Sequence, residues 1–307
     1  MRILFVGANR IGDAVIMSGV LDHLIRTYPE CRITIACGPV AAGVFARMPN
    51  RERTILFPKR RFDLHWLDLW RRVALTRWDL VVDLRGSALA WFVRARRRAV
   101  HSPRPMRMFE QYAAALGITP APLPVAWTAP EDRGKAAALL PAGRKVVGLG
   151  PTAASAYKIW PAERFAALFR AIAAGPLPGA VPAVLAGPGE AERARAAKLV
   201  ALLPKAVDLA GKLSLPEAAA VIGRCDLFVG NDSGLMHLAA ACGVPTIGLC
   251  GATLDRAEEM APVGLRAAWA AGRDDTMEGL SVEDAFAACV RLLEGSQSHT
   301  SEAVPAA

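Results

Sequence analysis

The chain has 307 residues, 53 % of them hydrophobic, with 37 basic against 28 acidic residues and a net charge of +9. That length and apolar content suit two α/β domains of similar size, and the charge favours a polyanionic partner: nucleic acid, an acidic membrane surface or a phosphorylated substrate. Six cysteines without a C-x-x-C pair read as reduced core residues of a cytoplasmic protein, and no apolar run reaches about 18 residues, so the expectation is neither an exported nor a membrane-spanning chain.

Arg2 to Val6 reads as an apolar strand, and Gly7 to Asp13 as a turn into an amphipathic helix from about Ala14 to Tyr28. The turn departs from both phosphate-binding patterns of such units. Asp13 follows Gly12 where a phosphate loop requires Lys, and Asn9 stands where the dinucleotide fingerprint needs its middle glycine. Asp13 suits a general base for an incoming hydroxyl as well as it suits a carboxylate that complements its helix dipole.

Further strands are expected at Arg32 to Cys37 and Asp79 to Leu84. Between them, Lys59, Arg60, Arg61 and Phe62 lead into Leu64, Trp66, Leu67, Leu69, Trp70, Val73 and Ala74 at roughly helical spacing. Such a basic helix with tryptophans either packs on the core with a charged outer face or lies on a membrane surface. A second basic patch runs through Arg94, Arg96, Arg97, Arg98, Arg104 and Arg107. A solvated face is its ordinary explanation, but both clusters share a half with Asp13, which fits an anionic acceptor met by Arg60, Arg61, Arg97 and Arg98. No zinc pattern, RNP-type motif or aromatic-basic interleaving supports nucleic-acid binding.

Residues 119 to 132 hold four prolines and no sustained periodicity, which marks the lead-in to a domain boundary placed at 140. Lys145 to Leu149 is a fresh strand, followed by a loop through Thr152, Ser155 and Lys158 to Pro161, which starts a helix. Two hydroxyls and a lysine there can clamp a diphosphate, or the lysine can be a solvated neighbour of the packing Trp160. Val181 to Ala186 is the next strand, and Glu190 and Glu192 open the helix after it, where either complements the dipole. Ser214 and Glu217 form a capping box. A terminal helix is expected from Val282 to Leu293, with a second domain over 141–294 and a disordered tail over 295–307.

Leu227 to Val229 and Thr246 to Leu249 are short apolar runs, as buried parallel strands should be. Between them Asn231, Asp232 and Ser233 are helix-capping types, and Gly243 with Pro245 ends the helix. A helix N-terminus at a strand's C-terminal end is receptive to phosphate. Ser233 and Gly234 allow close approach there, and His237 lies on the same face of the first turn.

Asp232-Ser233-Gly234-Leu235-Met236-His237 resembles the donor-binding signature of glycosyltransferase family 9, the bacterial ADP-heptose:lipopolysaccharide heptosyltransferases. Two further segments fit that family in order: Gly12-Asp13, and Lys158-Ile159-Trp160-Pro161 followed by Phe165-Ala166-Ala167-Leu168. The resemblance implies a GT-B fold, two Rossmann-like α/β domains facing across a cleft, with the acceptor on the N-terminal domain and the donor on the C-terminal one. It implies Asp13 as catalytic base, Thr152, Lys158, Asp232, Ser233, Gly234 and His237 around the donor diphosphate, and Glu190 or Glu192 at the ribose. The expected reaction is inverting transfer of a heptose or related sugar from an ADP-sugar to the lipopolysaccharide inner core or a similar anionic glycolipid. No cofactor is expected, and no metal, because no Asp-x-Asp pair flanks the site. The protein would work in the cytoplasm, with peripheral contact to the inner membrane. A sugar-nucleotide epimerase of the same architecture and a non-catalytic homologue that binds nucleotide sugar or lipid core are the alternatives.

Overall fold

Strand β1 (Arg2–Val6) is buried at every position after Arg2, as a central parallel strand covered on both faces must be. The computed structural model describes residues 1–251, 258–259, 261–272 and 276–295, and the chain divides between Trp127 and Thr128 into two units. In the first, β1 is followed by α1 (Ile11–Thr27), β2 (Arg32–Cys37), β3 (Arg51–Leu56), α2 (Leu64–Val73), β4 (Trp78–Asp83), β5 (Ala95–Val100) and α3 (Met108–Ala115). The sheet is parallel with the order β3-β2-β1-β4-β5. Its order therefore reverses between β1 and β4, where open α/β sheets bind ligands beyond their strand ends.

Two strands of this sheet have no counterpart in the sequence expectations. β3 and β5 are edges, and their exposed faces carry Arg51, Glu52, Arg53 and Arg96, Arg97, Arg98 in place of an apolar alternation. Charged edges resist pairing with another sheet, and they hide a strand from hydrophobic patterning. Helix α1 begins three residues earlier than its apolar pattern suggests, so Asp13 lies within its first turn. The Pro-rich stretch is partly a strap on this helix. Val125 N donates to Ser18 Oγ at 2.8 Å, and a Cβ at Gly19 would lie 2.5 Å from the Pro122 carbonyl oxygen.

The second unit comprises α4 (Pro130–Leu139), β6 (Val146–Gly150), α5 (Ala162–Ala174), β7 (Val181–Val184), α6 (Glu190–Leu202), β8 (Val207–Asp208), α7 (Leu215–Ile222), β9 (Leu227–Asn231), α8 (Gly234–Ala241), β10 (Thr246–Cys250), β11 (Ala267–Ala271) and α9 (Val282–Glu294). Its parallel sheet runs β11-β10-β9-β6-β7-β8, with the reversal between β6 and β9. Phe228 closes that seam. Its ring would be met at 2.8 to 2.9 Å by a Cβ at Gly148, Gly150 or Gly230, so this packing requires glycine on both strands. Helix α4, which a boundary at 140 assigns to the first domain, packs on α7 of the second unit, with Lys135 Nζ 2.7 Å from Glu217 Oε1. The tail expected from 295 lies outside the described residues apart from Gly295.

All six cysteines are free thiols. Burial pushes the thiols of Cys37, Cys225, Cys242, Cys250 and Cys289 up to about 12, which leaves them protonated at neutral pH. Among the described residues no helix is long and apolar enough to cross a membrane.

Candidate functional site

Strand β9 ends at the buried Asn231, and after Asp232 and Ser233 the chain turns into α8, whose first residue is Gly234. Ser233 holds the N-cap position in extended conformation, but its side chain makes no capping hydrogen bond. Its Oγ is buried and has no partner among the described residues. Capping is the common role of a serine in this position, whereas the sequence reading places Ser233 at the donor diphosphate. An unspent hydroxyl beside unspent helix amides is instead what an anionic ligand needs.

Asp232 ties a lysine and a histidine to this helix start. Its Oδ2 lies 2.5 Å from Lys158 Nζ, and its Oδ1 lies 3.8 Å from His237 Nε2. The first is a charge-assisted hydrogen bond. The second is longer than a hydrogen bond and acts as charge proximity when the imidazole is protonated. The Asp232 and His237 side chains are 13 % and 12 % exposed, so their interaction is less screened than a surface pair.

Lys158 arrives from the neighbouring strand. The loop after β6 runs from Pro151 and ends in a short 3-10 turn at Ala156–Lys158. Trp160 anchors it: the indole is 1 % exposed, packs edge-on against Phe165 and donates to the Leu280 carbonyl at 2.9 Å. Trp160 N donates to Asn231 Oδ1 at 3.2 Å, which joins the loop to the end of β9. Asn231 is thus a site residue that sequence reasoning treated only as a helix-capping type. Its strand-end position next to the Asp-Ser-Gly segment was the available signal. Thr152 is 2 % exposed, so a ligand can touch it only if its surroundings yield.

Glu190 and Glu192 both lie in the first turn of α6, beyond the end of β7, and differ in posture. Glu190 is exposed. Glu192 folds back over the preceding turn so closely that a Cβ at Gly187 would lie 2.4 Å from its Oε2. Among the described residues, no three His, Cys, Asp or Glu side chains gather where they could hold a metal ion.

In the first unit Asp13 is half-buried in the first turn of α1, and no hydrogen bond or ion pair ties its carboxylate to the described residues. Burial, with the charge of Asp13 adding to it, pushes the Tyr112 hydroxyl above the usual tyrosine range. The four arginines proposed for an acceptor separate into distinct roles. Arg98 spends its guanidinium on backbone: Nε donates to the Ala90 carbonyl at 2.7 Å and Nη2 to that of Val93 at 2.9 Å. Arg60 pairs with Asp68 of α2. Arg61 lies over the Phe62 ring, and Arg97 is exposed on β5.

Helix α2 packs on the core along one side only, as the first expectation for its tryptophan stripe has it. His65, Leu69 and Val73 face the core, while Leu64, Leu67 and Trp70 are 49 %, 42 % and 39 % exposed.

Residues 84–271 match the model of "Glycosyltransferase family 9 (heptosyltransferase)". The chain is 26 % identical over 291 residues to lipooligosaccharide heptosyltransferase 2 of Haemophilus influenzae, covering 82 % of this chain and 84 % of that one. Among solved structures, it is similar to a family 9 glycosyl transferase from Veillonella parvula with a TM-score of 0.73 and 21 % identity, over 95 % of this chain and 97 % of that one. The Escherichia coli heptosyltransferase WaaC with ADP gives a TM-score of 0.75 at 17 % identity, over 95 % and 100 % of the two chains.

Proposed function

The chain belongs to glycosyltransferase family 9, the heptosyltransferase family, with two parallel-sheet α/β units of the GT-B type, and on that premise we propose the reaction it performs. It transfers a heptose from an ADP-sugar to the lipopolysaccharide inner core or a similar anionic glycolipid, with inversion at the anomeric carbon. The observation that carries this reading is the Lys158–Asp232–His237 arrangement at the start of α8, where the Ser233 hydroxyl has no partner among the described residues.

Cleavage of the sugar–diphosphate bond leaves negative charge on ADP. Lys158, the first amides of α8, the Ser233 hydroxyl and His237 stabilise that charge as it develops. Asp232 would repel a diphosphate if it met one alone, so its part is to hold Lys158 and His237 in place. With fixed cations and helix amides taking the leaving-group charge, the reaction needs no metal. Glu192, bent back beyond the end of β7, is better posed than Glu190 to accept hydrogen bonds from ribose hydroxyls.

Asp13 takes the proton of the acceptor hydroxyl while that oxygen attacks the anomeric carbon on the face opposite the diphosphate. Attack from that face gives inversion. The protein acts on the cytoplasmic side, with peripheral contact to the inner membrane where its glycolipid acceptor resides. The test is incubation of purified protein with ADP-heptose and heptose-deficient lipopolysaccharide, read by mass spectrometry, beside lipopolysaccharide from a deletion strain. The expected results are a gain of one heptosyl residue in vitro and a truncated core in the strain. Isomerised free donor without transfer, or an intact core, contradicts the reading.

A further inference from the structure

The first unit contains a cavity of about 830 Å3 that none of the motifs identifies. Its walls include Phe62, Trp66, Leu67 and Trp70 from α2 and the turn before it, and Arg85 and Phe92 from the segment after β4. The volume falls within the range of about 300 to 1,000 Å3 common to small-molecule sites. Its apolar walls are open to solvent: Phe62 and Phe92 are 86 % and 70 % exposed. So much exposed aromatic and aliphatic surface in one place marks a binding site.

One wall carries a fixed cation with an unused donor. The Arg85 guanidinium stacks over Trp66 at 5.2 Å and over Phe57 at 5.7 Å, and its Nη1 is buried without a hydrogen-bond partner among the described residues. A buried donor left unmet on a charged group is costly, and an anion in the cavity would relieve that cost by drawing the guanidinium toward it. Of the nearby carboxylates, Asp83 is spent on its own turn, while Asp63 lines the cavity and is turned largely to solvent. Asp83 accepts from Arg85 N at 3.0 Å, Ser87 N at 3.1 Å and Ser87 Oγ, and Asp63 is 73 % exposed with Oδ1 3.8 Å from His65 Nδ1. Arg61 over the Phe62 ring adds positive charge beside the lining. Arg85 follows β4, which pairs with β1 in register at Val6 and Asp83, so its segment and the Asp13 turn leave the same end of the sheet, beyond the strands' C-termini at the order reversal.

We propose that this cavity binds an anionic amphiphile, with a phosphate or carboxylate bonded to Arg85 and the attached apolar body lying against Leu67, Trp70 and Phe92. That the ligand is the acidic, lipid-bearing end of the glycosyl acceptor rests on the transfer reading above. The binding itself does not.

Dodecyl phosphate, titrated below its micelle concentration and followed by tryptophan fluorescence and calorimetry, tests the site without donor or turnover. Dodecanol and inorganic phosphate are the comparison arms. The expected result is saturable binding of one dodecyl phosphate per chain, at least tenfold tighter than dodecanol and not displaced by millimolar inorganic phosphate. Arg85→Gln should remove the preference over dodecanol, and Leu67→Glu, at a half-exposed wall position, should weaken both alkyl ligands while the melting temperature holds. Absence of saturable binding, equal affinity for dodecanol in the wild type, or inorganic phosphate binding as tightly as dodecyl phosphate overturns the proposal. Saturable binding in a protein that transfers no sugar would overturn the transfer reading and leave the site in place.

Discussion

Both sheets reverse their strand order once, between β1 and β4 in the first unit and between β6 and β9 in the second, and the segments leaving those strands are built to opposite principles. In the second unit the charged groups hold one another: Lys158 to Asp232, Asp232 near His237, and the Lys158 loop pinned through Trp160 to Asn231. In the first, Asp13 makes no hydrogen bond or ion pair with the described residues, and Arg85 keeps a buried donor unmet. A preassembled network suits a diphosphate that must bind in one pose, because its donors cost no reorganisation when the leaving group gains charge. An uncommitted carboxylate suits proton transfer, because a carboxylate already bonded to a cation is the weaker base. The contrast divides the proposed chemistry into a holding side and a reacting side.

The largest expected effect breaks the holding side by its anchor. Trp160→Ala removes a side chain that is 1 % exposed and hydrogen-bonded to Leu280, and should cost about 3 to 5 kcal/mol of stability, read from denaturant unfolding. A loss below about 1 kcal/mol would show that the loop does not depend on this indole. Next, Lys158→Ala should weaken ADP binding and slow transfer by roughly 1.5 to 3 kcal/mol, the worth of a charge-assisted contact. Lys158→Arg should rescue only part of that, since a planar fork replaces a point charge. ADP affinity equal to wild type in the alanine variant would remove Lys158 from the diphosphate site.

A finer cut separates positioning from contact. Asp232→Asn removes a negative charge from the diphosphate site, so calorimetry should find ADP bound no more weakly than in wild type. The turnover number should fall about tenfold, as Lys158 loses the charge-assisted bond that holds it. Loss of ADP binding in this variant would make Asp232 a direct ligand. The smallest effect concerns the reacting side: the Michaelis constant for an anionic acceptor should rise a few-fold between about 0.05 and 0.3 M salt as screening grows. A salt-independent constant would point to an uncharged acceptor.

The second unit was the more legible in sequence, and the reason is physical. Its buried parallel strands are apolar runs bounded by glycine and proline, and its charged network follows from two short segments at strand ends, Lys158 to Pro161 and Asp232 to His237. The edges are hidden in both units, since β8 and β11 of the second have no counterpart in the sequence reading either, and the first hides its own behind charge. β3 and β5 carry arginine on their exposed faces, so the basic patch at 94–98 concealed a strand, and Arg98 proved to bond carbonyls. The apolar pattern of α2 likewise did not reveal that its residues divide between the core and a cavity, because that division depends on Phe92 and Arg85 arriving from a distant segment. Ser233 illustrates a further limit. Residue type predicts a cap, whereas the fold leaves the hydroxyl without a partner among the described residues.

The division of labour is tested most directly by measuring two quantities on Asp13→Asn: the ADP dissociation constant by calorimetry and the turnover number by transfer to heptose-deficient lipopolysaccharide in the presence of EDTA. Wild-type protein should turn over fully in the chelator. Asp13→Asn should keep its ADP affinity within about twofold and lose at least ~100-fold in turnover. Near-wild-type turnover in the variant, or a loss of ADP affinity matching that of Lys158→Ala, would contradict the account.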